Sequence, residues 1–478
     1  MSLRRGVAPE PSCRRNGPRS MPACTACATP LPPGASSHTA FALAEAALTL
    51  RAAAIWRELD ILEACVACLG APALAGFHSL LLPIRQSAMV AAASAHAASI
   101  RTTAPTLPRL SPNRSLLRVA VLRGSANANE ERIAALLSLS PRAFEAALLT
   151  TQLEPHAAVR IRRALAPARR LEHVALAGVA DDDAARSLAA RGCAILVDGS
   201  GHTAGHRLGV VARRPCAVRT AALGFAGSYG GGLVDYLTAD RAVVPPAAAA
   251  AIPERLSVLP HSYQVAPLPL ERAAAAAAVA AERHHRPQLG SFARVLRLHP
   301  SNFALWCAVL RRTPAAELRL LVDDAPTRTR LRDELAAAGI ARRRLHFWRY
   351  EPDKAAHIAR HRLLSLLLDT TPTFGAHTTA ADAALHAVPM LTLPAEAWAS
   401  RVGASLGAAV GVPQLAAHSA RALVAAQGAL LDARGSSRAL TRALRAAAWR
   451  QRALGRRSEE LWRASRRTMG RIEPPPPP

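Results

Sequence analysis

The segment Asp369-Thr370-Thr371-Pro372-Thr373-Phe374-Gly375-Ala376-His377-Thr378-Thr379 carries the residue types that hold a phosphate. It follows the apolar run Leu366-Leu367-Leu368 and leads into a helix-forming stretch, so it reads as strand, loop and helix start. Gly375 permits a tight turn or a close backbone approach. His377, Thr378 and Thr379 then open the helix. The first N–H groups of a helix lack intrahelical partners and sit at the positive end of its dipole, which suits a diphosphate. Asp382 follows on the same helix, where a carboxylate can accept hydrogen bonds from ribose hydroxyls. A capped helix with a polar loop shows the same pattern, so neighbouring segments must decide between the two.

Two neighbours carry basic groups. Residues 353–360 read as one amphipathic helix on which Lys354, His357 and Arg360, spaced by three, share a face. Such a face suits a nucleotide, although solvated basic faces are common. Lys354 is the only lysine in 478 residues. The stretch Phe292–Pro300 follows the first strand of the same block. It puts Arg294 and Arg297 at a strand end, where open α/β sheets bind ligands.

The elements that must position these residues form two runs of alternating strand and helix. The first has strand candidates at 117–122, 144–149, 172–176, 193–198, 217–223 and 234–238, and ends near Pro260. The second has strand candidates at 289–292, 317–322, 344–348, 363–368 and 389–393. Its helices are expected at about 301–311, 327–338, 353–361, 377–387 and 396–409. Strands alternating with helices predict parallel α/β layers. The expected fold class is therefore α/β, with two Rossmann-like domains facing a cleft and a short helical segment before them. The expected division is 1–37 disordered leader, 38–101 helical segment, 102–115 linker and 116–267 N-terminal domain. The C-terminal domain with its closing helix spans 268–470, and 471–478 is a proline-rich tail. No helical repeat of about 34 residues is legible.

Composition narrows the function. Half of the residues are hydrophobic, aromatics are 4%, and the net charge is +27. The arginines are spread along the chain without interleaved aromatics, so the charge reads as compositional and direct nucleic-acid binding is not expected. Eight cysteines are too few for a disulfide scaffold. Cys24/Cys27 and Cys65/Cys68 form CxxC pairs, but the gap between them is long, so buried thiols are expected and no metal. No uninterrupted apolar run reaches the length of a spanning helix. Residues 1–37, rich in Arg, Pro, Ser and Ala, resemble an organelle transit segment or a disordered leader.

The second block resembles the catalytic region of the protein O-linked N-acetylglucosamine transferases, including the plant SPINDLY-type O-fucosyltransferases. The resemblance runs through Leu368-Asp369-Thr370, Ala376-His377-Thr378-Thr379, Asp382-Ala383-Ala384-Leu385, Val388–Pro394 and Ala399–Ser405. In the first block it runs through Ile195–Thr203, Leu223–Ser228, Val234–Asp240 and Leu259–Tyr263, with weaker similarity back to Trp56. It implies a GT-B fold and inverting, metal-independent transfer to Ser or Thr hydroxyls. UDP-N-acetylglucosamine or GDP-fucose would be the donor, with no cofactor, and the cytoplasm or nucleus the location.

By motif position, His377, Thr378 and Thr379 would hold the diphosphate, Asp382 would meet the ribose, and Lys354, His357 and Arg360 would surround the nucleoside. Arg294 stands where the family usually has Gln, and Arg297 where it has a Lys beside the leaving phosphate. Ala128 stands where the family has a histidine. His173 and His202 are the first-block candidates for that task, with His173 and Arg297 taken as the catalytic pair. The alternative from another class is a catalytically impaired, donor-binding pseudoenzyme that acts as a scaffold.

Overall fold

The computed structural model describes residues 37–56, 59, 77–82, 84–104, 106–107, 117–123, 144–150, 171–264, 286–371, 373–386 and 388–432. The leader, both CxxC pairs, Ala128, the alanine-rich stretch 268–285 and the chain beyond 432 lie outside these residues.

The first block is a sheet of seven strands. They are β1 (Leu117–Arg123), β2 (Phe144–Thr150), β3 (Leu171–Ala175), β4 (Ile195–Asp198), β5 (Val218–Ala221), β6 (Tyr236–Asp240) and β7 (Arg255–Leu259). Their spatial order is β3-β2-β1-β4-β5-β6-β7, and every neighbouring pair is parallel. The order reverses between β1 and β4. The second block has β8 (Gln288–Ser291), β9 (Glu317–Leu321), β10 (Leu345–Trp348), β11 (Leu366–Leu368) and β12 (Met390–Leu391). Its order is β10-β9-β8-β11-β12, again all parallel, with the reversal between β8 and β11. Such reversals open a crevice at the carboxyl edge of the sheet, the usual ligand position in this architecture.

Parallel strands covered on both faces read as continuous apolar runs. Leu366, Leu367 and Leu368 are all buried, and so are Val119 to Leu122. Strand β7 was not expected from the sequence. It is an edge strand with exposed positions at Arg255 and Val258, so its run is broken by polar and solvent-facing residues.

The described helices are α1 (Ser37–Ala52), α2 (Gln86–Thr103), α3 (Asp181–Ala190), α4 (Leu208–Ala212), α5 (Pro246–Ala249), α6 (Pro300–Arg312), α7 (Ala325–Ala337), α8 (Lys354–Ala359), α9 (Thr378–Leu385), α10 (Trp398–Ala409) and α11 (Ala420–Asp432). Helices α1 and α2, from the segment that precedes the first block, pack on both blocks. Helix α2 packs on α4 of the first block, whereas α1 packs on the turn that follows β8 in the second. Trp56 lies edge-on to Phe303 of α6, with ring centroids 5.1 Å apart, and Arg330 Nε donates to the Ala53 carbonyl at 2.5 Å. Further contacts join the blocks directly. Ser405 Oγ of α10 donates to Asp240 Oδ2 at 2.7 Å, and Tyr263 packs edge-on against Trp398 at 5.3 Å.

Cys193 and Cys216 form a disulfide between the segments entering β4 and β5. No spacing in the sequence pairs these two, and the expected emphasis on the CxxC motifs missed them. Among the described residues no helix is long and apolar enough to cross a membrane.

Candidate active site

Asp369 leaves β11 directly and organises the loop that follows. Its Oδ1 accepts from the backbone N–H of Thr370 at 2.7 Å and of Ala376 at 2.5 Å, and its Oδ2 accepts from Thr392 Oγ1 at 2.6 Å. Thr370 Oγ1 donates to the Phe374 carbonyl at 2.6 Å and closes the turn. From α6, Trp306 Nε1 donates to the Asp369 carbonyl at 3.3 Å and Asn302 Nδ2 to the Thr370 carbonyl at 3.1 Å. Burial pushes the Asp369 carboxyl above the usual carboxylate range; its three hydrogen bonds and the nearby Arg297 charge act the other way. Helix α10 passes close over this carboxylate. A Cβ at Gly403 would lie 2.7 Å from Asp369 Oδ2, so only glycine fits there. Gly375 is tight for the same reason, with Ala399 O 3.2 Å from where its Cβ would be. The structure thus gives it a close backbone approach rather than a left-handed turn.

Arg297 ends a single 3₁₀ turn, Val295–Arg297, that follows β8 across the crevice. Its guanidinium carbon lies 4.2 Å from the centroid of the Phe374 ring. The His377 ring stacks on the same phenyl group, with centroids 4.3 Å apart and 17° between planes. Two planar groups cannot share one ring face at that distance, so Phe374 sits between Arg297 and His377. No hydrogen bond or ion pair to the Arg297 side chain occurs among the described residues. Burial, and then the like charge of Arg294, push its pKa down to about 10, while Asp369 acts the other way. It remains a cation at neutral pH. Arg294 is exposed and precedes the turn, and α1 packs against the turn from outside.

His377 is the residue before the first turn of α9, and Thr378 and Thr379 begin the helix half-buried. His377 Nε2 lies 2.9 Å from the Ala399 carbonyl. A carbonyl only accepts, so Nε2 carries the proton. Gly375 N–H donates to the same carbonyl at 2.9 Å, so the first turn of α10 holds both the loop and its histidine.

The other expected nucleotide residues are placed differently from one another. Lys354 begins α8, and its side chain lies outside the described residues. His357 is half-buried and edge-on to Phe292, with centroids 5.3 Å apart; Phe292 stacks on Trp348 at 4.7 Å. Asp382 is buried on α9, and its charge acts on His361 of the turn behind α8. Arg360 does not share a free face with these two. Its Nη1 donates to the Arg349 carbonyl and its Nη2 to Glu351 Oε2, each at 2.8 Å, so it braces the 349–351 segment.

On the first-block side, Asp198 at the end of β4 accepts from Gly201 N–H at 2.6 Å and Tyr229 Oη at 2.7 Å. His202 is buried, with Nε2 3.2 Å from the Tyr229 carbonyl and Nδ1 2.9 Å from His96 Nδ1. Burial first, then the His96 charge, push its pKa down to about 3, so its ring is neutral, with both nitrogens engaged. His173 lies within β3, the edge strand, in register with Leu148 and two strands from the reversal. Its side chain lies outside the described residues.

Phe374 and Asp369 were not among the residues the sequence singled out for the site. The signal for Phe374 was its type: an aromatic in a polar loop, in a chain where aromatics are 4%.

Two Rossmann-like sheets, with convergent groups at the carboxyl edge of the second, define a GT-B architecture. The chain belongs to glycosyl transferase family 41, whose sequence profile matches residues 148–268 and 289–460. It is 31% identical over 230 residues to the probable UDP-N-acetylglucosamine–peptide N-acetylglucosaminyltransferase SEC of Arabidopsis thaliana, covering 46% of this chain and 23% of that protein. It is 28% identical over 229 residues to the SPINDLY protein of Solanum lycopersicum, which carries the same probable activity in its name, covering 47% and 24%. The match thus spans about a quarter of the length of these curated relatives. A solved mutant of the Thermobaculum terrenum O-GlcNAc transferase superposes with a TM-score of 0.74 at 23% identity, covering 90% of this chain and 84% of that one. At that identity it supports the fold.

Proposed function

We propose that the chain transfers N-acetylglucosamine, or fucose, from a nucleotide-sugar donor to Ser or Thr hydroxyls of proteins. The reaction inverts the anomeric carbon and uses no metal. Membership of family 41 and the printed activities of its relatives support the reaction class. The observation that carries the site is the Arg297 cation, held on Phe374 beside the His377 loop with no hydrogen bond or ion pair to its side chain among the described residues.

The acceptor oxygen bonds the anomeric carbon from the face opposite the diphosphate. The carbon–oxygen bond to the diphosphate breaks, its electron pair stays with the leaving group, and a nucleoside diphosphate and a proton are released. Negative charge therefore grows on the diphosphate. A preorganised cation and helix N–H groups stabilise it most where water is excluded. Arg297 and the start of α9 supply both. Lys354, His357 and Asp382 take the nucleoside end, and Arg360 shapes its wall through Arg349 and Glu351. Residues 116–267 form the acceptor side and 268–470 the donor side.

One feature favours the pseudoenzyme as a second reading. A guanidinium over an aromatic ring presents a planar fork instead of the point charge of lysine. Binding and transfer separate the two.

The donor site is tested by titration calorimetry with UDP, UDP-N-acetylglucosamine and GDP-fucose. His377→Ala is expected to weaken the preferred nucleotide by about fivefold, the net worth of the hydrogen bond by which the ring ties the loop to the Ala399 carbonyl. Unchanged affinity would remove His377 from the site.

A further inference from the structure

Helix α10 begins without a cap of its own. The residue before its first turn is Ala397, which has no side-chain acceptor, and the first helical N–H belongs to Trp398. That N–H is satisfied from the other block. Gln86 Oε1, on α2, accepts it at 3.0 Å across 312 residues of sequence. Helix α2 has the same deficiency. Arg85 provides no side-chain cap, and the first helical N–H, that of Gln86 itself, donates to Glu396 Oε1 at 3.3 Å. Two helix starts from opposite blocks therefore cap each other. The arrangement is a capping box divided between distant parts of the chain.

The helix held in this way carries the donor loop. Ala399 lies one residue beyond Trp398, and its carbonyl accepts from His377 Nε2 and from Gly375 N–H, each at 2.9 Å. The segment before the helix is hydrogen-bonded to the same turn. Ser400 Oγ accepts from Ala395 N–H at 3.0 Å and donates to the Ala397 carbonyl at 2.7 Å, and Arg401 Nε donates to the Ala395 carbonyl at 2.6 Å. Gln86 is buried, and its side-chain oxygen is committed to Trp398. Trp398 and Ala399 are consecutive residues of the first turn, so a shift of the α10 start carries the Ala399 carbonyl with it.

We infer that Gln86 is a positioning residue for the donor loop: through the shared cap it fixes the start of α10, and through Ala399 the orientation of the His377 imidazole. The inference rests on the donor reading of the His377 loop only for its consequence in binding; the link from Gln86 to His377 is structural and stands separately. It also ties the register of the first block to the donor site of the second, since α2 packs on α4.

The test uses the full chain with Gln86→Ala, Glu396→Ala, His377→Ala and the double variant Gln86→Ala/His377→Ala. The first readout is the ¹⁵N imidazole spectrum, with His377 assigned by its disappearance in His377→Ala. Gln86→Ala is expected to move the His377 signals while the other assigned histidines stay in place. It should also weaken UDP binding by about fivefold, the net worth of one hydrogen bond. In the His377→Ala background the same change should cost nothing further, since coupled sites are not additive. Glu396→Ala removes the other half of the cap from an exposed position. It is expected to move the His377 signals less, and it decides the matter alone if Gln86→Ala does not fold. Folded variants with unmoved His377 signals would overturn the inference. Moved signals with UDP affinity insensitive to His377→Ala would support the positioning role and refute the donor reading.

Discussion

Arg297→Ala is expected to lower kcat by about 100- to 1,000-fold, the usual cost of removing one group that stabilises transition-state charge. Two features of the structure set this size. The guanidinium has no hydrogen bond or ion pair among the described residues, so its charge is not already spent. Its pKa is pushed down to about 10, first by burial, so the cation is held in a partly desolvated place where a developing anion would favour it. The donor KM should change less than kcat, because the charge it answers grows as the bond breaks. Arg297→Lys keeps the charge but gives up the planar contact with Phe374, so it should retain more of the rate than Arg297→Ala. An Arg297→Ala enzyme with undiminished kcat would remove the residue from the chemistry.

Asp369→Ala is expected to cost about 3–5 kcal/mol of stability, read as a lower midpoint in chemical denaturation. The carboxylate serves two backbone N–H groups and a hydroxyl from both of its oxygens. Deleting it strands three buried donors and removes the group over which Gly403 lets α10 pass. Asp369→Asn keeps one acceptor oxygen but turns an N–H₂ group toward donors, so a loss of about half that size is expected. The loop from 370 to 376 carries both Phe374 and the approach to His377, so nucleotide affinity should fall with stability. A change under about 1 kcal/mol would mean the loop is held by something other than this carboxylate.

Much of the second block was legible in the sequence because its elements announce themselves locally. A covered parallel strand is a continuous apolar run, and Leu366-Leu367-Leu368 is one. A loop ending in His-Thr-Thr before a helical pattern marks a helix start, and α9 begins at Thr378. The placement of Arg294 and Arg297 after the first strand of that block followed from strand order, and the fold brings Arg297 onto Phe374 of the His377 loop.

What was not legible depends on partners far away in sequence. Phe374 gains its role only when Arg297 and His377 close on its two faces. The three-residue spacing that grouped Lys354, His357 and Arg360 is real only as far as α8 runs. The helix gives way to a 3₁₀ turn at Arg360, and that side chain turns to Glu351. The shared cap between Gln86 and Trp398, the packing of α1 on the Arg297 turn and the Cys193–Cys216 bond join segments whose local patterns carry no sign of one another. Periodicity in the helical run before the first block shows which residues are buried and not against what they pack.

The proposed function is tested most directly by transfer itself. Purified full-length chain is incubated with sugar-labelled UDP-N-acetylglucosamine or GDP-fucose and a pool of Ser- and Thr-containing peptides, and label on peptide is measured beside donor binding. Label carried on hydroxyl side chains, from one of the two donors and lost in Arg297→Ala, is the result the site geometry calls for. Donor bound at saturation with no label on any peptide or on the chain would contradict transfer and leave a nucleotide-sugar-binding protein.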